Sequence, residues 1–262
     1  MTLLDPFSTS PSPAALFLTT GLKKAIQKTK LCVERRHGLT AILGDVGMGK
    51  SSLLRHIYGD YAAREDVALS FIPTPAFSTD FAFLKTICAD LGLSPKRSML
   101  EQQSALNEFL LAQYQDGRNV VVFVDEAQRL PPKQLEVVRT LLNYETNTAK
   151  LIQVVLSGQL ELRERLLEEK QKAIRSRLFA PSVLDPLSLS ETEAMIRHRC
   201  DLAGVTLPFS SARVAEIYEA TGGVPREILK VCAVAYALAR INDLDQVPAE
   251  LVAEALREAV LA

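Results

Sequence analysis

Gly44-Asp45-Val46-Gly47-Met48-Gly49-Lys50-Ser51 fits the pattern G-x-x-x-x-G-K-[ST] in full. It stands between an apolar run, Leu39 to Leu43, and a helical pattern over Ser51 to Ile57. Strand, glycine-rich turn and helix in that order make a cradle for phosphate. The glycines let the backbone curl until successive N–H groups face one anion, and the positive end of the helix dipole points at the same place. In this pattern Lys50 reaches the β- and γ-phosphates of a nucleotide and the Ser51 hydroxyl ligates Mg²⁺. The nucleotide-binding stretch is therefore Gly44, Asp45, Val46, Gly47, Met48, Gly49, Lys50, Ser51 and Ser52.

The 262 residues carry 30 Lys plus Arg against 31 Asp plus Glu, a formal net charge of -1. With a pI of about 6.3, nothing global advertises nucleic acid, so any such surface has to be a local patch. Cys32, Cys88, Cys200 and Cys232 stand far apart without a C-x-x-C. That excludes the familiar zinc spacings and a disulfide framework, and points to buried free thiols in a reducing compartment. No stretch approaches the roughly 20 apolar residues of a spanning helix. The N-terminus also lacks the basic and apolar regions of a leader. These features predict a soluble, cytoplasmic protein with no membrane partner.

Apolar runs recur at α/β spacing. Val67 to Ile72, Val120 to Val124 and Leu151 to Leu156 are rich in β-branched residues, and Ser182 to Leu184 is a shorter candidate. Helical patterns separate them, at Phe81 to Leu91, Ser104 to Tyr114 and Gln134 to Tyr144, after a first helix beginning near Leu22. Continuously apolar strands imply a parallel sheet covered on both faces. From Ser190 onward strand signals vanish, and helices are expected at 190–203, 211–221, 226–240 and 248–261. The predicted class is α/β, a phosphate-loop parallel sheet sandwiched by helices and followed by a small all-helical lid. The predicted boundaries are an extended segment at 1–20, a phosphate-loop domain at 21–188 and a lid at 189–262.

Val120-Val121-Val122-Phe123-Val124-Asp125-Glu126 is a strand ending in two acids. In a phosphate-loop sheet, that end places Asp125 against the Mg²⁺ shell and Glu126 near an attacking water as general base. A glutamate there argues for hydrolysis rather than transfer to a second substrate.

The order of these two motifs, then Val155-Leu156-Ser157-Gly158-Gln159-Leu160-Glu161-Leu162, Ile174-Arg175-Ser176-Arg177-Leu178 and Thr221-Gly222-Gly223-Val224-Pro225-Arg226, resembles an AAA+ ATPase. More narrowly it is similar to the ExeA-like branch, which covers secretion-associated ATPases and transposition regulators of the TnsC, TniB and MuB type. Asp5-Pro6-Phe7 followed by Pro11 and Pro13 resembles the opening of ExeA-like proteins. The resemblance makes Gln159 the sensor of the γ-phosphate, with Ser157 its neighbour and competitor. It makes Arg177 the finger that one subunit donates to the next one's nucleotide, with Arg175 as rival, and Arg226 the sensor on the lid. Glu126, Lys50, Arg177 and Gln159 are thus the catalytic set, and Ser51 and Asp125 the metal set. The family often has Asn at the end of the second strand, holding the catalytic Glu from water; this chain reads Pro73-Thr74-Pro75, where Thr74 is the substitute candidate.

The resemblance implies an Mg-ATPase assembling as a homo-oligomer, ring or filament. The first expectation is a transposition regulator on double-stranded DNA that recruits a transposase or target-selection protein, with Lys96 and Arg97 as phosphate contacts. Lys23, Lys24, Lys28 and Lys30 form a second basic patch. The alternative is a secretion or envelope-assembly ATPase acting on a protein partner. Such proteins append a membrane segment and a peptidoglycan-binding region, and the end of this sequence at Ala262 is read as favouring transposition. A nucleotide switch that hydrolyses slowly is a third class.

Overall fold

The computed structural model describes residues 5–10 and 13–260, so Pro11 of the opening motif lies outside the described residues. Helix α1, Thr20–Glu34, leads into β1, Leu39–Gly44, and the glycine-rich loop then delivers α2, Lys50–Ala62. Next come β2, Val67–Ile72, α3, Asp80–Asp90, and α4, Met99–Gln115, then β3, Asn119–Val124, and α5, Pro132–Leu141. β4, Gln153–Gly158, is followed by α6, Leu160–Leu167, α7, Lys172–Arg175, and β5, Ser182–Leu184. Four helices finish the chain: α8, Leu189–Ala203, α9, Ser211–Thr221, α10, Pro225–Ile241, and α11, Ala249–Val260.

The five strands form one sheet in the order β2-β3-β4-β1-β5, every pairing parallel. Parallel neighbours need helical crossovers, which cover the faces. Every residue of the inner strands β1, β3 and β4 is accordingly buried, while edge strand β2 is only partly so. The register aligns Ile72 with Val124, Val124 with Leu156, and Leu43 with Gly158. The carboxyl ends of β1, β3 and β4 therefore lie side by side, with Asp125 one step beyond Val124 and Ser157 one step beyond Leu156. In open α/β sheets this is the edge where ligands bind.

One strand begins later than its apolar pattern implies. β4 was expected from Leu151, yet Leu151 donates its N–H to Tyr144 O at 2.9 Å, and Glu145 and Lys150 close an antiparallel bridge. Leu151 and Ile152 are buried by that turn, before the sheet takes the chain at Gln153. α4 starts earlier than expected because Ser98 and Glu101 form a reciprocal capping box at its first turn.

The chain divides into two compact units. One holds the sheet and its helices, Thr20–Asp45 and Leu53–Leu184. Its core runs through Leu39, Phe83, Leu106, Val122, Leu135, Val154 and Leu162. The other takes the described residues before Thr20, the loop segment Val46–Ser52 and the described residues from Asp185 onward. Its core is built on α8 to α11, and Phe7 joins it, edge-on to Phe209 at 5.7 Å and to Tyr236 at 5.5 Å. All four cysteines are free and buried. Among the described residues, no helix is long and apolar enough to cross a membrane.

Candidate functional site

Two constellations carry the predicted residues. The first is the glycine-rich loop with the start of α10. Gly44 ends β1, Asp45 and Val46 are exposed, Met48 and Lys50 are buried, and Lys50, Ser51 and Ser52 form the first turn of α2. The N–H groups of a first helical turn have no partners within the helix itself, so this turn carries donors of the kind that meet an anion. Gly47 turns the backbone at φ 83°, and a Cβ there would lie 2.9 Å from Val224 Cγ1 and 3.0 Å from Arg226 Cβ. The loop is thus moulded against α10 at a position where only glycine fits without movement.

The Thr221-Gly222-Gly223-Val224-Pro225-Arg226 segment explains how α10 arrives there. Gly222 ends α9 in the left-handed conformation. Gly223, at φ 76°, passes so close to Leu187 that a Cβ would lie 2.2 Å from its carbonyl oxygen. Pro225 opens α10 in its first turn, where its missing N–H costs nothing. The Arg226 N–H, unpaired within its own helix, donates to Gly47 O at 3.2 Å. The side chain of Arg226 is exposed.

The second constellation is at the ends of β3 and β4. Asp125 is buried, and its Oδ1 accepts from Ser157 Oγ at 2.8 Å and from Glu126 N at 3.0 Å. Glu126 has φ 51°, left-handed backbone that is costly for a residue with a Cβ and is found where the surroundings enforce it. Its Oε2 accepts from Gln128 Nε2 at 2.5 Å. Gln128 Oε1 in turn accepts from Gln159 N at 3.1 Å. Gln128 belongs to none of the sequence motifs; its place two residues beyond the acid pair is its signal. The Thr74 hydroxyl, whose part the sequence leaves open, donates to Pro73 O at 2.8 Å.

The sequence profile of the AAA domain matches residues 33–166, more than half of the chain and the span that holds both the phosphate loop and the acid pair. The chain belongs to the AAA domain family. It is 33% identical over 230 residues to general secretion pathway protein A of Aeromonas hydrophila, a match covering 87% of this chain and 42% of that protein. The chain therefore spans about two fifths of the length of the curated relative it matches. Among solved structures it resembles the ORC2 protein of Aeropyrum pernix in ADPNP and ADP complexes, at TM-score 0.72 and 16% identity over 98% of this chain and 72% of that one. It also resembles Cdc6p of Pyrobaculum aerophilum, at TM-score 0.73 and 17% identity over 97% and 70%. At these identities the likeness shows the fold alone.

Outside the profile match, this AAA domain chain separates the two rival arginines. Arg175 Nη1 faces the carbonyl oxygens of Leu166, Leu167 and Glu168 and so caps the end of α6. Arg177 is held more lightly, by Ala173 O at 2.7 Å and Asn143 Oδ1 at 3.2 Å. Lys96 and Arg97 are exposed, and their backbone N–H groups serve the turn into α4 by donating to Gln102 and Glu101. In the second basic patch, Lys30 pairs with Asp60 at 2.7 Å and Lys28 donates to Pro181 O at 3.4 Å.

Proposed function

We propose that the chain is the motor part of a secretion or envelope-assembly ATPase that acts on a protein partner. One observation carries this reading: the match to general secretion pathway protein A over most of the chain. That match moves the reading from DNA to protein. The case for transposition rested on the family resemblance and on where the sequence ends, and the sequence end carries no weight when the relative is more than twice as long.

The residues fit ATP with Mg²⁺. Lys50 is buried at the head of α2, Gly47 and Gly49 take positive φ just before it, and Asp125 is a buried carboxylate held by two donors. In the proposed mechanism the N–H groups of Gly44 to Ser52 and the Lys50 ammonium hold the phosphates, and Ser51 and Asp125 hold the metal. Magnesium, when bound, offsets phosphate charge. Glu126 accepts a proton from the attacking water and Gln159 orients the terminal phosphate. Residues 189–262 act as the lid, with Arg226 reporting the nucleotide to it. Copies of the chain assemble in the ATP state, and Arg177 of one copy completes the site of the next.

Steady-state ATPase rates of the parent, Lys50→Ala and Glu126→Gln test the motor, each with and without duplex DNA. Turnover in the parent alone, indifferent to DNA, is the expected outcome. Strong stimulation by DNA at low salt that fades as salt rises would restore the transposition reading, and a fully active Glu126→Gln would remove the base.

A further inference from the structure

Gln128 joins two parts of the strand-end constellation that the phosphate-loop mechanism treats separately. Its Nε2 donates to the Glu126 carboxylate at 2.5 Å and its Oε1 accepts the Gln159 N–H at 3.1 Å. A backbone N–H only donates, so Gln159 fixes Oε1 as the accepting end and leaves Nε2 to face Glu126. One amide therefore ties the carboxylate after β3 to the backbone after β4.

The surroundings are shaped for this amide. Arg165 donates to Gln128 O at 2.8 Å and Leu130 O at 2.7 Å, which pins the turn that carries it. Gly158 leaves the space: a Cβ there would lie 3.2 Å from Gln128 Oε1, 3.3 Å from Gln128 N and 2.7 Å from Leu162 Cδ2. The left-handed backbone at Glu126 is a strained conformation that persists where neighbours over-determine it.

We propose that Gln128 is a positioning residue that couples the Glu126 carboxylate to the end of β4. When Gln159 shifts on meeting a terminal phosphate, the amide carries the shift to the carboxylate and aims it at water. The proposal rests on the reading of the chain as an ATPase with Glu126 as base. A glutamine suits the task because one end has to accept and the other to donate, a division that neither glutamate nor methionine reproduces.

The test uses the whole chain with Mg-ATP and two variants. Gln128→Met keeps the volume and loses both hydrogen bonds; Gln128→Glu keeps an acceptor for Gln159 and sets a second carboxylate against Glu126. A group that acts only through the base lowers kcat and leaves binding intact, so both variants should lose about tenfold or more in kcat with KM within about twofold. Affinity for a fluorescent ATP analogue should stay near the parent's, whereas a merely structural role would lower it along with kcat. Parental kcat in the two variants would overturn the coupling alone. A parent that turns over no ATP, or a Lys50→Ala variant as active as the parent, would overturn the ATPase reading and the coupling with it.

Discussion

Ser157 Oγ donates to Asp125 Oδ1 at 2.8 Å, and both side chains are buried. The parallel register of β3 and β4 makes the pair, since Val124 lies beside Leu156 and each polar residue follows next. Ser157 is thereby committed to Asp125, which supports Gln159 for the sensor role. Ser157→Ala should destabilise the chain by about 1–3 kcal/mol, the cost of removing a donor from a buried carboxylate. Urea denaturation measures it, and an unchanged midpoint would mean that the carboxylate is held by other donors.

Two glycines of the loop make a matched comparison. Gly47 and Gly49 both have positive φ, 83° and 81°, but only Gly47 has neighbours within 4 Å of an added Cβ. Gly49→Ala should cost the backbone strain alone, on the order of 1 kcal/mol. Gly47→Ala adds the collision with Val224 and Arg226, so it should cost more and also weaken binding of a fluorescent ATP analogue. Equal melting temperatures for the two variants would show that α10 yields freely.

Arg175→Ala and Arg177→Ala should fail in different ways. The first removes a cap from the α6 carbonyls and should lower stability by about 1 kcal/mol. The second should keep stability and ATP binding while turnover collapses, because a finger acts on charge in the transition state. ATPase assays beside thermal melts separate the two, and full activity in Arg177→Ala would return the role to Arg175.

Burial pushes the Cys88 and Cys200 thiols up to about 11 and Cys32 up to about 12, and raises Cys232 as well. A thiol in the unfolded chain ionises near pH 8.5. Between that pH and about 11 the unfolded chain has lost protons that the folded chain keeps, so stability falls as pH rises. Below that window the thiols add no slope. Urea midpoints from pH 7 to 10.5 should show the fall, and replacing Cys32 and Cys88 with alanine should flatten it. A slope untouched by those replacements would assign the fall to other groups.

The sheet was legible because its inner strands are buried on both faces, so that Val120 to Val124 reads as an unbroken apolar run. β4 was misplaced by two residues for the same reason: Leu151 and Ile152 are equally apolar, but a turn buries them. The phosphate loop and the acid pair were legible as spacing along the chain. Gln128 was not, because its partners, Glu126 and Gln159, become neighbours only through strand register. Arg165 belongs to none of the motifs, yet its guanidinium meets two carbonyl oxygens, a use that residue type does not announce.

The carbonyl of Gly47 is the hydrogen-bond acceptor at the head of α10. A fragment cut at the end of the sheet would retain every residue of the phosphate loop and lose the surface that shapes it. Truncation from the C-terminus should therefore weaken binding of a nucleotide before it touches any residue of the motif.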